Sequence, residues 1–126
     1  MSIEHPADIH DAVTTCFNAG DIEGLMELYE PEARMVGMDD SVLEGHAAIR
    51  ENWTALLAFG GHMTLTTRYV IEFEDIALLS NDYTVSVGDD AVTGATAEVV
   101  RRQPDGSWKY VIDHPTGAGA PPELPA

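Results

Sequence analysis

The period of the hydrophobic pattern changes once along this chain of 126 residues, and the change limits the folds that the chain can adopt. Up to Phe59 the apolar residues recur every three or four positions, as on one face of an α-helix. From His62 onward they alternate with polar residues, as in strands that bury one face. Helices first and tightly connected strands afterwards predict an α+β domain, with helices covering one face of an antiparallel sheet.

Three helices and a short strand are predicted before residue 60. Ile9, Val13 and Phe17 form the apolar stripe of the first helix, and Gly20 suits the left-handed residue after its end. The second helix includes Tyr29 and ends at Pro31, because proline cannot continue a helix. The predicted ranges are about 6–19, 21–30 and 46–59 for the helices and 33–38 for the strand.

Four longer strands are predicted in the second half, at about 62–73, 76–87, 92–102 and 108–114. Tyr69, Ile71 and Phe73 continue the apolar alternation of the first of them and are predicted to lie in the core. The domain is expected to span residues 1–114. Residues 115–126 are rich in Pro, Gly and Ala and are expected to form a loose tail.

The charge of the chain limits its partners. There are 22 acidic residues against six Lys and Arg, a formal net charge of -16. Such a surface repels phosphate backbones and anionic lipids, so neither nucleic acid nor a membrane is an expected partner. No apolar run is long enough to span a membrane. A lone cysteine, Cys16, and a start without signal-peptide features predict a cytoplasmic protein.

Four motifs occur in order along the chain: Asn-Ala-Gly-Asp at 18–21, Leu-Tyr-Glu-Pro at 28–31, Gly-His-Ala-Ala-Ile-Arg at 45–50 and Ile-Asp-His-Pro at 112–115. With these motifs the chain resembles the SnoaL-like and ketosteroid-isomerase-like proteins of the nuclear transport factor 2-like superfamily. The ending from Arg101 to His114 also resembles the association domains of calmodulin-dependent kinases.

The resemblance implies a cystatin-like fold, in which a curved sheet wraps around three N-terminal helices and leaves a conical, hydrophobic pocket. It also implies a homodimer formed through the outer face of the sheet, a small apolar ligand and no cofactor. Relatives include isomerases, cyclases, dehydratases, epoxide hydrolases and proteins that do not catalyse a reaction. Fold alone therefore does not name the chemistry.

The catalytic set of ketosteroid isomerases is expected to be absent. Aligned on the Asn-Ala-Gly-Asp block, the family's tyrosine position falls on Val13 and its base position on Gly37. Valine cannot donate a hydrogen bond, and glycine has no side chain to accept a proton. An acid is retained only at the third position, near Glu98.

SnoaL-like cyclases instead use an acid on the last strand, and Asp113 matches that placement. Regular alternation would put Val111, Asp113 and Pro115 on the cavity face and Tyr110 on the opposite face. Burial in an apolar cavity would raise the pKa of the Asp113 carboxyl and suit it to act as a general acid or base. The alternative is a structural role, in which Asp113 either caps the tail or forms an ion pair with an arginine such as Arg34, Arg68 or Arg101.

Further site residues are expected on the neighbouring strands. Glu98 would be a second acid beside Asp113, with Thr96 on the same strand face. Tyr83 and Trp53 would form walls of the pocket together with Val111; the alternative for Tyr83 and Trp53 is an ordinary core position, which is the more common place for such residues. The spacing of the histidines, and the single cysteine, predict no metal site.

Two hypotheses follow for function. In one, the protein binds a small apolar carbonyl compound and catalyses proton transfer as an isomerase, cyclase or dehydratase, with Asp113 and Glu98 as the catalytic acids. In the other, it is a module for dimerisation or ligand sensing without catalysis.

Overall fold

The computed structural model describes residues 2–118. A short 3-10 helix, Pro6–Asp8, leads into helix α1, Ile9–Ala19. The other helices are α2, Ile22–Glu27, and α3, Gly45–Ala58. The strands are β1, Tyr29–Val36; β2, Val42–Glu44; β3, His62–Phe73; β4, Ile76–Val87; β5, Asp90–Ala95; β6, Ala97–Arg102; and β7, Trp108–His114.

The seven strands form one curved sheet in the order β2-β1-β7-β6-β4-β3, with β5 paired to β4. This arrangement confirms the predicted α+β class. The prediction of a wholly antiparallel sheet was wrong, because β1 and β7 run parallel. Parallel neighbours need a long connection, and here the whole chain from β2 to β6 supplies it.

The inner face of the sheet packs against α1 and α3. Ile9 of α1, Ile49 of α3, and Leu79 and Val100 of the sheet are completely buried in this core. No described helix is long and apolar enough to cross a membrane.

Two bulges change which side chains face inward. On β3 the pairing with β4 skips Arg68, and on β7 the pairing with β6 skips Val111. An inserted residue reverses the alternation beyond it. Tyr69, Ile71 and Phe73 therefore lie on the outer face, where Phe73 is 67% exposed, and their predicted core position was wrong.

The second helix is shorter than predicted, because the backbone adopts an extended strand conformation from Tyr29 onward. Tyr29 already pairs with Tyr110 of β7, so it belongs to β1 and not to a helix. Pro31 lies inside β1, where the register between β1 and β7 is irregular. A strand tolerates proline at such a position, because no ladder hydrogen bond is required there.

The strand predicted at 92–102 is divided at Thr96 into β5 and β6. There the backbone N–H of Thr96 donates to the backbone carbonyl of Asn81 at 2.8 Å. The side-chain hydroxyl of Thr96 accepts from the backbone N–H of Asn81 at 2.9 Å. Of the predicted tail, residues 115–118 form a turn that bonds back to the Ala95 carbonyl. Residues 119–126 lie outside the described part of the chain.

Candidate functional site

A cavity of about 560 Å³ lies between the helices and the inner face of the sheet. Its walls are mainly apolar and include Val13 and Phe17 of α1, Trp53 of α3, and Met63 of β3. All four of these side chains are buried, so this end of the cavity is closed by the core itself. The cavity has the size and lining of a site for a small apolar molecule.

The polar groups of the closed end come from one row across the sheet. Glu98 of β6 pairs directly with Asp113 of β7, which in turn pairs with Met35 of β1. Both carboxyl side chains line the cavity and are nearly inaccessible, with 3% of Glu98 and 7% of Asp113 exposed. Two acids at facing positions of neighbouring strands repel each other when both are charged.

A buried hydrogen-bond chain holds Asp113. The hydroxyl of Tyr29 donates to Oδ2 of Asp113 at 2.5 Å, and Nε1 of Trp53 donates to the Tyr29 hydroxyl at 3.2 Å. The Tyr29 ring also contacts Tyr110, with ring centroids 5.0 Å apart. The position of Asp113 is thus fixed from β1 and α3, while its other oxygen, Oδ1, accepts no hydrogen bond from the described residues.

The environment of Asp113 favours its neutral form. Burial and, secondarily, the charge of Glu98 raise the pKa of Asp113 to about 7, although the Tyr29 hydrogen bond acts in the opposite direction. Burial and the Asp113 charge also raise the pKa of Tyr29 well above its ordinary value, so this tyrosine remains a donor. A carboxyl of this kind can gain or lose a proton near neutral pH.

The predicted alternative, an arginine partner for Asp113, is not found among the described residues. Each candidate arginine pairs with a different acid on the surface. Arg34 lies 3.4 Å from Glu44, Arg68 lies 3.8 Å from Asp82, and Arg101 lies 2.6 Å from Glu30. Within residues 2–118 no cation neutralises Asp113.

Glu98 differs from Asp113 in its partners. The Asn81 amide donates to Oε1 of Glu98 at 3.4 Å, and Nε2 of His10 lies 3.4 Å from Oε2. The His10 side chain is 2% exposed, and its Nδ1 lies 3.4 Å from the Thr67 hydroxyl. The contact between the His10 ring and the Glu98 carboxyl is not a hydrogen bond, since Nε2 and Oε2 are both buried without a hydrogen-bond partner among the described residues.

His10 was not predicted as a site residue, although the sequence contains a signal for it. His10, Val13 and Phe17 stand at i, i+3 and i+7, so the histidine lies on the buried stripe of α1. Tyr29 was missed for another reason, because it was placed in a helix. Its position directly before Glu-Pro gave no sign of the strand pairing that brings it to Asp113.

Of the predicted site residues, Trp53, Tyr83, Thr96, Glu98 and Asp113 line the cavity. Val111 does not; it is the half-buried bulge residue of β7, and Tyr110 faces the cavity in its place. The alternation predicted for β7 was therefore wrong for Val111 and Tyr110, although Asp113 and Pro115 do line the cavity.

Glycine at position 94 gives the wall residue Tyr83 its space. Gly94 lies opposite Tyr83, and a Cβ atom there would come within 2.5 Å of the Tyr83 hydroxyl, so glycine leaves room for the ring.

Val13 and Gly37, the residues at the isomerase tyrosine and base positions, both line the cavity. No group of three or more His, Cys, Asp or Glu side chains in the described residues could hold a metal ion.

Asp113→Asn is expected to change the pH dependence of stability. In the unfolded chain the pKa of the carboxyl is near 3.8, and in the folded chain it is about 7. Between these values the folded state binds more protons, so the free energy of unfolding of the wild type falls as pH rises, by on the order of a few kcal/mol. The variant should lack this fall in urea unfolding measured from about pH 4 to 8. Parallel pH profiles for the two proteins would contradict the burial argument.

Glu98→Gln should lower the pKa of Asp113, because the charge that opposes ionisation is removed while burial remains. The measurement is a carboxyl-carbon NMR titration of Asp113. Asp82→Asn, at an exposed acid of β4, is the matched control and should leave the titration unchanged. An Asp113 midpoint that does not move in the Glu98 variant would show that the two carboxyls do not interact.

Comparison with known proteins agrees with this architecture. A search of curated proteins gave no match. A ketosteroid isomerase-like protein from Erwinia carotovora atroseptica is 20% identical, with a TM-score of 0.68, covering 82% of this chain and 86% of that one. A candidate dehydratase of the NTF2-like family from Streptomyces avermitilis is 20% identical, with a TM-score of 0.67 over 86% of this chain and 91% of that one.

A candidate calcium/calmodulin-dependent protein kinase type II association domain from Thiobacillus denitrificans is also 20% identical. It has a TM-score of 0.78 and covers 90% of this chain and 95% of that one. At these identities the likeness concerns the fold. The family model of the SnoaL-like domain, in contrast, matches the amino-acid sequence of this chain over residues 10–111. The chain therefore belongs to the SnoaL-like domain family, as its motifs indicate.

Proposed function

We propose that this protein is a proton-transfer enzyme of the isomerase, cyclase or dehydratase type, acting on a small apolar carbonyl compound. One observation carries the proposal: Asp113 lies at the closed end of an apolar cavity without a cationic partner among the described residues. Burying such a group costs several kcal/mol unless it is neutralised. A carboxyl kept in this state with a pKa of about 7 is typical of a general acid or base.

The proposed step uses the free oxygen of Asp113. As a carboxylate, Oδ1 would take a proton from the carbon beside the carbonyl, and the electron pair of the broken C–H bond would form an enolate. The protonated Asp113 would then return the proton to another atom of the same conjugated system. Tyr29 acts as a positioning residue, because its hydrogen bond occupies Oδ2 and leaves Oδ1 directed at the ligand.

Two further residues have supporting roles in this proposal. The charge of Glu98 favours the protonated form of Asp113 and so strengthens it as a base. Tyr83 lines the cavity, and its hydroxyl makes no hydrogen bond to another described residue, so it is available to orient the carbonyl oxygen. Trp53, Thr96 and Tyr110 would contact the ligand as parts of the wall.

A second candidate function is binding or sensing of a ligand without catalysis. Val13 and Gly37 favour it, since the cavity has neither a donor nor a base where ketosteroid isomerases need them. The two functions differ in a single measurable property, the exchange of carbon-bound protons of a bound ketone.

The wild type is expected to accelerate exchange of the α-protons of 2-tetralone for deuterium, followed by proton NMR. Asp113→Asn should reduce the catalysed rate at least about 100-fold, because the general base is lost. Tyr29→Phe should retain activity but move the pH midpoint upward, since the hydrogen bond that favours the Asp113 anion is removed. Tyr69→Phe, on the outer face, is the control. If 2-tetralone binds but is not exchanged by the wild type, the non-catalytic function is favoured.

We also propose that the protein forms a homodimer through the outer face of the sheet. Ile71, Leu78, Val99 and Ile112 stand at paired positions of β3, β4, β6 and β7, so they form one apolar row across that face. Phe73 and Ile76 extend the row at its edge. An apolar surface of this extent is typical of a protein–protein interface.

Ile71→Glu is expected to convert the dimer to a monomer, because each protomer would then bury a charge within the apolar row of the interface. Size-exclusion chromatography with light scattering measures the mass. Thr54→Glu, on the solvent side of α3, should leave the dimer intact. A wild type that is monomeric at high concentration would contradict the proposed interface.

A further inference from the structure

We propose that the closed end of the cavity is a binding site for apolar amines, with the ammonium group of the ligand paired to the carboxylate of Asp113. This inference concerns equilibrium binding and does not depend on the proposed proton-transfer reaction. It follows from the sign of the charges in the cavity, from the unoccupied oxygen of Asp113 and from the aromatic walls.

All charged side chains among the described residues that line the cavity are acids. They are Glu98 and Asp113 at the closed end and the exposed Asp40 at the mouth. No lysine, arginine or histidine of the described chain lines it. An anionic ligand would therefore enter without a counter-ion and would bear the full cost of desolvation. A cationic ligand, in contrast, would find a counter-ion in the cavity.

Asp113 is the acid that can receive the ammonium group. Oε1 of Glu98 accepts from Asn81, and Oε2, which lies 3.4 Å from Nε2 of His10 without a hydrogen bond, is inaccessible to a ligand. In Asp113 only Oδ2 is occupied, by the Tyr29 hydroxyl. Oδ1 has no hydrogen-bond partner among the described residues and lies in a side chain that is 93% buried at the wall of the cavity. Its geometry provides one charge-assisted hydrogen bond for a ligand N–H group.

The remaining walls suit an apolar cation. Phe17, Trp53, Tyr83 and Tyr110 surround the cavity, and aromatic faces attract ammonium groups more strongly when water is excluded. At the mouth, Phe59 is 65% exposed and would cover the apolar body of a longer ligand. The net charge of -16 adds a long-range attraction for cations.

Binding of an ammonium ion requires the ionised form of Asp113, so it is linked to pH. The groups that face this carboxyl are Glu98 on β6, Tyr29 on β1 and Tyr110 on β7, with His10 of α1 behind Glu98. The tyrosines stay neutral, since their pKa values are raised well above the ordinary value. With the pKa of Asp113 at about 7, the ionised fraction and the affinity should both rise about tenfold between about pH 6 and pH 8.

Three probes of equal shape separate the possible ligand classes: 4-butylbenzylamine, 4-butylbenzyl alcohol and 4-butylbenzoate. Dissociation constants are measured by isothermal titration calorimetry at about pH 6 and pH 8. The amine should bind about tenfold or more tightly than the alcohol at pH 8, as expected for a hydrogen bond to a charged group. The amine alone should bind more weakly at pH 6, and the benzoate should bind more weakly than the alcohol at both pH values.

Asp113→Asn should remove the preference for the amine and its pH dependence while the alcohol still binds. Asp40→Asn is the matched control, because it removes an acid of the same cavity at the exposed mouth and asparagine tolerates the left-handed backbone of that turn. It should leave the preference nearly unchanged.

An amine that binds no better than the alcohol at pH 8 would overturn the proposal, and this result needs only the wild-type protein. A preference that persists in Asp113→Asn would also overturn it. Neither result bears on proton transfer, which is measured with the neutral ketone. Conversely, a wild type that does not catalyse deuterium exchange would not contradict the amine preference.

Discussion

The hydrogen bond from Tyr29 to Asp113 is the interaction on which the architecture of the site depends. It joins β1 to β7, the parallel strand pair of the sheet, and the bond from Trp53 extends it to α3. Because the donor is buried and its pKa is raised, the bond persists over the physiological pH range. It fixes which oxygen of Asp113 is occupied and which one is left for a ligand.

The two carboxyls of the cavity have different surroundings. Oε1 of Glu98 accepts from the Asn81 amide, and the His10 ring lies 3.4 Å from Oε2. Asp113 has a single neutral donor and no cation among the described residues, and burial raises its pKa to about 7. In the proposed function this difference gives Asp113 the role of acid or base near neutral pH. The same difference makes Asp113 the proposed counter-ion for a cationic ligand.

The family supplies the cavity but does not determine its chemistry. Val13 and Gly37 line the cavity at the positions where the family resemblance places the tyrosine and the base of an isomerase, so the proposed reaction relies on a different side chain, Asp113. Another glycine, Gly94, has no side chain and so leaves space for the ring of Tyr83 in the cavity wall. Function within this fold is therefore decided by single side chains at the cavity surface, as in other widely used folds.

The sequence by itself determined most of the elements, because hydrophobic period, proline and glycine act locally. It predicted three helices followed by strands, and with its motifs it predicted the family and the placement of an acid on the last strand. Only the tertiary structure decided on which face of the sheet each side chain lies. The bulges at Arg68 and Val111 each reverse the alternation, so they moved Tyr69 outward and Tyr110 inward. Likewise, only long-range pairing brought Tyr29 to Asp113 and His10 to Glu98, since residues 84 and 88 positions apart meet through the sheet order and not through any local pattern.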